Sequence, residues 1–259
     1  MIRVAFFGTH TLGSRCLRLL DRHPDVEIAL VVTYGPDADP WWDEPVWKSA
    51  VERGYHVEAV ENEREILEYD IDYLLSVYYP NVLGADLLDH PSEAALNLHQ
   101  AELPRYRGSN VFAHAIMNAR EDDHWRYGTT FHEMVEEVDA GAIVDREFVE
   151  IRSDDTAGRL YERTREASLR LFNRSIPKLV ERTVLDEATP QDEFDGTRYF
   201  YTKESLNGEM EVSAADLAAS DEGVRLAAYD KIRALEFPPF DPAYTTIDGE
   251  KVFLTTRPR

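Results

Sequence analysis

The sequence predicts an α/β fold, in which a Rossmann-like, doubly wound and mostly parallel sheet is followed by a small carboxyl-terminal α+β domain. Short apolar runs alternate with segments of helical spacing along most of the chain, and this alternation is typical of parallel sheets. It stops after Val184, where an acidic stretch lacks periodicity. We therefore expect a first domain at residues 1–185, a linker at 186–197 and a second domain at 198–259.

The first domain combines apolar strands with amphipathic helices. The predicted strands lie at Ile2–Phe7, Val26–Thr33, Val57–Val60, Ile71–Val77, Ala94–Leu98, Tyr127–Met134 and Ile143–Ile151. The predicted helices lie at Leu12–Arg22, Val46–Arg53 and Thr156–Arg182. Thr11 is the predicted cap of the first helix, and Gly54 is predicted to end the second.

The second domain has weaker periodicity. We expect a helix at Glu222–Leu235 and two short strands at Ala243–Ile247 and Lys251–Thr255, which flank the turn at 248–250. Because this segment is too short for a large core of its own, we expect it to pack on the first domain.

The charge of the chain limits its partners. Its 259 residues include 50 acidic and 28 basic side chains, which gives a formal net charge of −22. Because such a field repels polyanions, we do not expect a nucleic-acid partner. We interpret the dispersed acidic residues as a solubility device, of the kind common in acidic, halophilic proteomes.

Other composition features favour a cytoplasmic protein. The single cysteine, Cys16, excludes an internal disulfide and fits a reducing compartment. The chain enters a predicted strand at Ile2, so we expect no signal peptide. No apolar run approaches the roughly 20 residues that cross a bilayer, so we expect no membrane partner.

The turn after the first strand, Gly8 to Gly13, matches neither the dinucleotide fingerprint nor a P-loop. This argues against nicotinamide and phosphate-hydrolysis chemistry. One interpretation is a tight turn with close helix packing. The alternative is a helix start that faces an anionic ligand group, assisted by Arg15. The histidines, His114 and His132 among them, show no metal-binding spacing, so we predict no metal site.

The residues that suggest chemistry follow the fifth predicted strand. Asn97 and His99 are two positions apart, so their side chains lie on the same side of the strand at its carboxyl end. Ligands bind at that end of open α/β sheets. Downstream, Asp139 and Gly141 precede another apolar strand. An amide, an imidazole and a carboxylate form a set suited to acyl transfer.

In these residues the sequence resembles the folate-dependent formyltransferases, a family that includes methionyl-tRNA, glycinamide ribonucleotide and sugar-nucleotide formyltransferases. The shared pattern is Asn-x-His, a Leu-Pro-x-(Tyr)-x-Gly loop, Gly-x-Thr-x-His and Asp-x-Gly. These motifs occur here in order at 97–99, 103–108, 128–132 and 139–141. The resemblance covers about residues 1–180. It implies the formyltransferase fold, 10-formyltetrahydrofolate as co-substrate, no metal, and a catalytic trio that matches Asn97, His99 and Asp139.

Each member of the trio has a role in formyl transfer. Asn97 presents amide N–H groups to the oxyanion of a tetrahedral intermediate, where one donor contributes about 3–4 kcal/mol. His99 stabilises the same oxyanion or holds the attacking amine in line. Asp139 pairs with His99 or takes the amine proton through a water. Because a free aspartate titrates near about 3.9, the second role requires partial desolvation.

The resemblance places the folate between the loop after the fourth strand and the Asp139 loop. Aromatic and aliphatic residues in the first of these loops suit a flat heterocycle, although the two tyrosines alternatively only cover the end of the sheet. The predicted folate residues are Ser76, Tyr78, Tyr79, Asn81, Val82, Leu83, Val138 and Asp139.

Three observations favour a nucleotide-linked amino sugar over tRNA as the acceptor of the formyl group. They are the net charge, the shortness of the second domain, and the resemblance of segments 199–203 and 232–244 to the carboxyl-terminal region of sugar N-formyltransferases. Glu102 departs from the pattern of many relatives. The predicted substrate residues are Arg105, Tyr106, Arg107, Gly108, Tyr199, Tyr201 and Lys203, with Arg198 and Arg233 as further cations for a diphosphate.

The sequence leaves other functions open. The chemistry is the same if the acceptor is methionyl-tRNA or glycinamide ribonucleotide. A protein of another class, which binds folate or a nucleotide without turnover, is the third possibility. A homodimer, in which the aromatic carboxyl-terminal segment packs on a second subunit, is a hypothesis that light scattering tests.

Overall fold

A computed structural model describes residues 1–38 and 40–256 of the chain. The strands are β1 (Ile2–Gly8), β2 (Val26–Thr33), β3 (Val57–Ala59), β4 (Tyr73–Val77), β5 (Ala94–His99), β6 (Tyr106–Gly108), β7 (Arg126–Glu133), β8 (Ile143–Glu150), β9 (Tyr199–Tyr201), β10 (Tyr244–Ile247) and β11 (Glu250–Phe253). The α-helices are α1 (His10–Asp21), α2 (Val46–Val51), α3 (Ala85–Leu88), α4 (Val111–Asn118), α5 (Ala157–Val180), α6 (Ala214–Leu217) and α7 (Glu222–Ala234). Two 3₁₀ helices lie at Val60–Glu68 and Gln191–Glu193.

The main sheet has seven strands in the order β3-β2-β1-β4-β5-β7-β8. Its first five strands pair in parallel, whereas β7 runs antiparallel to β5 and β8 antiparallel to β7. This confirms the predicted α/β fold with a mostly parallel sheet. The chain order reverses between β1 and β4, and open α/β sheets bind ligands outside the carboxyl ends of strands at such a reversal.

Both faces of the sheet are covered, as doubly wound topology requires. Successive residues of β1 point to opposite faces. Val4 and Phe6 pack in one core with residues of α1 and α5, whereas Ala5 and Phe7 pack in the other with Ile66 and Leu87. Because the strands are buried on both faces, they read in the sequence as continuous apolar runs.

The start of α1 corrects one prediction. Thr11 lies inside the first turn of the helix, and the residue before the helix is Thr9. The Thr9 hydroxyl donates a hydrogen bond to the carbonyl of Tyr78 instead of capping the helix. Gly54 follows α2 at a φ of +75°, as its predicted position at a helix end requires.

The carboxyl-terminal segment packs closely against the earlier part of the chain. Strand β9 pairs in parallel with β6, and neither short strand was predicted from the sequence. Arg233 is fully buried on α7 and donates to Asp230, which also accepts from Arg120 next to α4. Within the described residues, no helix is both long enough and apolar enough to traverse a membrane.

Candidate active site

A cavity of about 440 Å³ opens at the carboxyl ends of β1, β4 and β5, where the strand order reverses. Thr9 and His10 line it from the start of α1. The residues after β4 form a second wall, and the end of β5 together with the β7–β8 loop forms a third. The sequence predicted a site at this edge of the sheet.

All of the predicted folate residues line this cavity. They are Ser76, Tyr78, Tyr79, Asn81, Val82, Leu83, Val138 and Asp139. The Tyr79 hydroxyl and the Asn81 amide both donate to Glu63 Oε2, at 2.7 and 2.8 Å. The 3₁₀ helix at Val60–Glu68 therefore holds the loop after β4, a role for Glu63 that sequence analysis did not anticipate.

Asn97 lies directly across the sheet from His132, because the two residues are partners in the antiparallel register of β5 and β7. His132 Nδ1 lies 2.6 Å from the carbonyl oxygen of Glu133, to which it donates. His132 Nε2 is then free to accept, and the Asn97 amide nitrogen lies 3.3 Å from it. Because His132 Nε2 accepts, the amide nitrogen of Asn97, and not its oxygen, faces His132.

Burial lowers the pKa of His132 to about 4. The side chain is 1% exposed, and the hydration that the charged imidazolium would lose outweighs its attraction to the nearby Asp139 carboxylate. His132 is therefore neutral near pH 7, and its Nε2 lone pair remains available to Asn97.

His99 stands at the end of β5, next to Asp139. Its Nε2 donates to the backbone carbonyl of Tyr106 at 3.3 Å and lies 3.7 Å from Asp139 Oδ2. His132 Nε2 lies 3.7 Å from the other carboxylate oxygen of Asp139. The structure thus brings the three predicted catalytic residues together, with His132 as a fourth member of the cluster.

Asp139 occupies a strained position in the β7–β8 loop, at a φ of +52°. Its Oδ2 accepts from the backbone N–H of Gly108 at 2.9 Å. Gly141 permits the tight return of this loop, since a Cβ there would lie 2.1 Å from the carbonyl oxygen of Glu133. The Gln191 amide donates to the carbonyls of Asp139 and Gly141 at 2.8 and 2.9 Å.

The pKa of Asp139 lies below its ordinary value. Burial acts to raise this pKa, but His99, His132, the Gly108 N–H and Arg107 together lower it by more. Asp139 is therefore a carboxylate throughout the neutral range. Asp139 is desolvated, as a proton acceptor must be. The rise in its pKa from burial is nevertheless smaller than the lowering by these four groups.

His132 and Gln191 were not among the predicted site residues. The sequence carried a signal for His132, because the Gly-x-Thr-x-His motif places it on the same strand face as Thr130. Gln191 lies in the stretch predicted as a linker. Its contacts with the Asp139 loop span 52 and 50 positions, and no local pattern predicts them.

The predicted substrate residues divide into two groups. Gly108 and Lys203 line the cavity, and Lys203 Nζ donates to the carbonyl of Pro80 at 3.3 Å. The others do not appear among the described lining residues. They are Arg105, Tyr106, Arg107, Tyr199 and Tyr201.

Acidic and aromatic neighbours hold this second group. Arg105 donates to Asp122 at 2.5 Å, and Asp122 also accepts from the Tyr199 hydroxyl. Arg107 donates to Glu137 at 2.8 Å and to the carbonyl of Val138.

The two remaining tyrosines pack against other parts of the molecule, Tyr106 fully buried and Tyr201 partly buried. The Tyr201 ring stacks on His114 with 3.6 Å between ring centres. Arg198 donates to the backbone carbonyls of Gln191 and Phe194. The buried Arg233 is a structural ion pair rather than a cation available to a diphosphate.

An aromatic cluster adjoins the cavity at His10. The His10 ring stacks on Trp42 with 3.8 Å between ring centres, and Tyr78 lies 4.4 Å away. Burial lowers the pKa of His10 to about 4, so this wall is uncharged near pH 7. Sequence analysis did not anticipate this cluster.

The glycines at the start of α1 serve close packing. A Cβ at Gly8 would lie 2.5 Å from the Phe6 ring, and one at Gly13 would lie 3.1 Å from Val46. Arg15 pairs with Glu44 and Glu166 instead of lining the cavity. These contacts favour the tight-turn interpretation. Among the described residues, His, Cys, Asp and Glu side chains form no group suited to a metal ion.

Comparison with known proteins adds a family assignment. A methionyl-tRNA formyltransferase from Bacillus licheniformis is 28% identical over 262 residues, which cover 96% of this chain and 76% of the relative. The solved structure of an N-formyltransferase from Helicobacter canadensis, in complex with folinic acid and dTDP-3-aminofucose, matches with a TM-score of 0.75 at 19% identity. That match covers 97% of this chain and 86% of the other.

A 4-N formyltransferase from Francisella tularensis gives a TM-score of 0.74 at 18% identity, over 98% of this chain and 96% of the other. These structures share the fold of the chain. The sequence profile described as formyl transferase matches residues 2–176, well over half of the chain. The predicted family is confirmed: the chain belongs to the formyl transferase family and is a formyltransferase.

Proposed function

We propose that the enzyme transfers the formyl group of 10-formyltetrahydrofolate to the amine of a nucleotide-linked amino sugar. One observation carries this proposal. Asn97, His99 and Asp139 meet at the wall of one cavity, whose opposite wall is the loop that suits a pterin. Amide, imidazole and carboxylate groups around one point are the set that acyl transfer to an amine needs.

The cavity fits a folate in size and lining. Its volume of about 440 Å³ lies within the range of small-molecule sites, and apolar and aromatic side chains surround a few polar groups. Tyr78, Val82 and Leu83 offer the apolar surface, and Ser76 and Asn81 add polar groups. Bound there, 10-formyltetrahydrofolate supplies the formyl group.

Asn97 supplies the donor for the negative charge that develops on the formyl oxygen. One N–H of its amide is directed to the neutral His132, which leaves the second N–H for the oxyanion. Because the amide is already oriented, little reorganisation is needed when the charge appears. This arrangement supports the predicted role of Asn97 and assigns His132 the task of orienting it.

Asp139 and His99 act on the attacking amine. The lowered pKa of Asp139 makes it a weak base, so its geometry favours stabilising the positive charge that develops on the amine nitrogen. His99, 3.7 Å away, then lies next to both the amine and the carboxylate. The amine must arrive unprotonated and forms a bond to the formyl carbon. The bond from that carbon to N10 of the folate then breaks, and the proton lost by the amine passes through this pair to N10 of the departing tetrahydrofolate.

Three observations support a sugar nucleotide as the acceptor. The N-formyltransferase structure that holds dTDP-3-aminofucose shares the fold over 97% of this chain, so the match extends into the carboxyl-terminal segment. Among the described residues that line the cavity, Lys203 is the one lysine or arginine, which suits a small anionic group better than a polyanion. The net charge of −22 opposes binding of a large nucleic acid.

Methionyl-tRNA is the second candidate, because the curated relative with 28% identity is a methionyl-tRNA formyltransferase. About a quarter of that relative has no counterpart in this chain, since the match covers 76% of it. The formyl-transfer chemistry is the same for both acceptors, so only the acceptor separates these proposals.

A mass-shift assay tests the proposal. Purified enzyme and 10-formyltetrahydrofolate are offered dTDP-, UDP- and GDP-amino sugars, with methionyl-tRNA as the comparator. We expect one sugar nucleotide to gain the mass of a formyl group, and Asn97→Ala to abolish the gain. Formylation of the tRNA alone would overturn the choice of acceptor. Formylation of no acceptor, with folate still bound, would favour a protein that binds folate without turnover.

The salt dependence of the acceptor KM separates the two acceptors independently. A tRNA contacts many phosphates, so its affinity falls steeply with salt, whereas that of a dianionic sugar nucleotide falls much less. We expect the shallow dependence, measured at salt concentrations where circular dichroism shows the enzyme folded. A steep loss would favour tRNA.

A further inference from the structure

The loop that carries Asp139 contains one turn hydrogen bond of its own, from the Ala140 N–H to the Glu137 carbonyl at 3.2 Å, and it receives several more from residues outside it. Asp139 has a φ of +52°, in the left-handed region of backbone conformation that residues other than glycine adopt only in a minority of cases. Such conformations persist where the surrounding structure determines them. The position of the Asp139 carboxylate therefore depends on contacts from outside the loop.

Gln191 supplies such contacts from the first residue of the second 3₁₀ helix. Its amide nitrogen lies 2.8 Å from the carbonyl oxygen of Asp139 and 2.9 Å from that of Gly141. An amide NH₂ has two hydrogens, and both are used here. The side chain is 7% exposed, so water does not readily replace it.

The segment around Gln191 is itself anchored. Thr189 and Ile143 exchange two backbone hydrogen bonds, at 2.8 and 2.9 Å. Arg198 donates to the Gln191 carbonyl at 2.7 Å and to that of Phe194 at 3.0 Å. The segment thus forms a fixed support beside β8, and its glutamine reaches the loop from that support.

We infer that Gln191 is a positioning residue, which holds the Asp139 carboxylate against Gly108 and His99. This inference rests on the proposed function, since it assigns Asp139 a part in formyl transfer. The residue lies outside the region 2–176 that matches the family profile, so the part of the chain after α5 completes the geometry of the active site.

Loss of the Gln191 amide should change the pKa of Asp139. When the loop relaxes, the carboxylate moves away from His99, His132, the Gly108 N–H and Arg107, which together lower its pKa. Its pKa then rises, and kcat falls because the charge near the amine is misplaced. A residue that only stabilised the fold would lower the melting temperature without these two effects.

Two substitutions of similar length test this. Gln191→Met removes both donors, and Gln191→Glu replaces them with a carboxylate that regains one donor only when protonated. We expect Gln191→Met to lower kcat by about 10- to 100-fold, as small displacements of reacting groups do, with less effect on KM. At pH values where Asp139 is ionised in all three proteins, the ratio of Gln191→Glu to wild-type kcat rises as the pH falls, whereas the Gln191→Met ratio stays flat.

The control is Asp192→Asn, at an exposed neighbour on the same 3₁₀ helix, and it should leave kcat unchanged. A second readout needs no turnover: a ¹³C carboxyl titration of folded protein, with the Asp139 signal assigned by Asp139→Asn. We expect its midpoint to rise in Gln191→Met. Wild-type kcat and an unmoved Asp139 midpoint in Gln191→Met would overturn the inference. If the wild type formylates no acceptor, the proposed function fails, and the Asp139 midpoint alone decides whether Gln191 positions the carboxylate.

Discussion

Two sides of the cavity hold their functional groups by different means. On the strand side, which comprises Asn97, His99 and His132, the side chains project from β5 and β7. On the loop side, which comprises Gly108, Asp139 and Lys203, the groups lie at the end of the short strand β6 and in connections, and Gly108 contributes its backbone N–H. The strand side is fixed by the register of a sheet, whereas the loop side is fixed by contacts between residues distant in the chain.

This difference determines what a substitution does. The hydrogen bonds between β5 and β7 place Asn97 opposite His132 whatever their side chains are, so a substitution there removes a side chain and leaves its neighbours in place. Lys203 instead depends on Asn110, whose amide donates to its carbonyl at 3.0 Å. On the loop side, therefore, a substitution outside the cavity moves a group inside it.

The largest effect is expected on the strand side, at Asn97. Asn97→Ala removes the oriented donor, and loss of one oxyanion donor costs about 3–4 kcal/mol, or roughly 100- to 1,000-fold in kcat. Initial-rate kinetics with the formyl acceptor measure kcat of both proteins. Asn173→Ala, at an exposed asparagine on α5, is the matched control and should keep wild-type kcat. A loss of less than tenfold in Asn97→Ala would show that another group stabilises the oxyanion.

The next effect is on stability, and it comes from His132. Because burial lowers the pKa of His132 to about 4 from an ordinary 6.5, the unfolded state binds its proton more strongly than the folded state. The contribution of His132 to stability is complete above pH 6.5 and is lost as the pH falls toward 4, at a rate approaching about 1.4 kcal/mol per pH unit.

Urea unfolding of the wild type and His132→Gln at pH 7, 6 and 5 measures this contribution. We expect a shallower loss in His132→Gln, though not a flat one, because burial also lowers the pKa of His10 and His114 to about 4. Above pH 6.5 the two proteins should differ by a constant free energy. Equal slopes at acid pH would mean that His132 is protonated in the folded protein.

The strand side was the more predictable from sequence, for a physical reason. Strands have a period of two, and parallel strands end at the same edge of the sheet, so Asn97 and His99 are placed by local pattern alone. The same reasoning brought the loop after β4 to the cavity, although not the contact of Glu63 with Tyr79. His132 carried the right strand parity, but parity alone does not distinguish a buried structural histidine from a functional one.

The loop side was less predictable because charge pairing between distant residues decides it. Arg105 and Arg107 flank the active-site motif, yet Asp122 and Glu137 hold their guanidinium groups. In a chain with 50 acidic residues, an arginine has many carboxylates within reach, and the sequence does not show which one it meets. The sequence likewise does not show which carboxylate Arg233 meets, and the structure buries it fully in an ion pair with Asp230.

Two variants test whether Lys203 and Arg105 have different roles, one at the cavity and one in the stability of the fold. Lys203→Met removes a cation from the cavity wall, so we expect the acceptor KM to rise about tenfold with kcat retained. Arg105→Met removes a charged hydrogen bond to Asp122 outside the cavity, so it should lower the free energy of unfolding by about 2 kcal/mol and leave KM unchanged. Initial-rate kinetics and urea unfolding of both variants separate the two effects. A raised KM in Arg105→Met would place that arginine at the acceptor.

The smallest effect is expected at Glu63, which supports the loop after β4 from outside the cavity. Glu63→Ala removes the acceptor shared by the Tyr79 hydroxyl and the Asn81 amide, which frees the loop after β4 without removing any group that lines the cavity. Since a hydrogen bond at such a site contributes about 1 kcal/mol, we expect the folate Kd to weaken about three- to tenfold, with kcat unchanged at saturating folate. Fluorescence titration of folate measures the Kd, and Glu65→Ala on the same 3₁₀ helix is the exposed control. An altered kcat would mean that loops next to the strand side position reacting groups at a distance, as the contacts of Gln191 do on the loop side, and the distinction between the two sides would no longer hold.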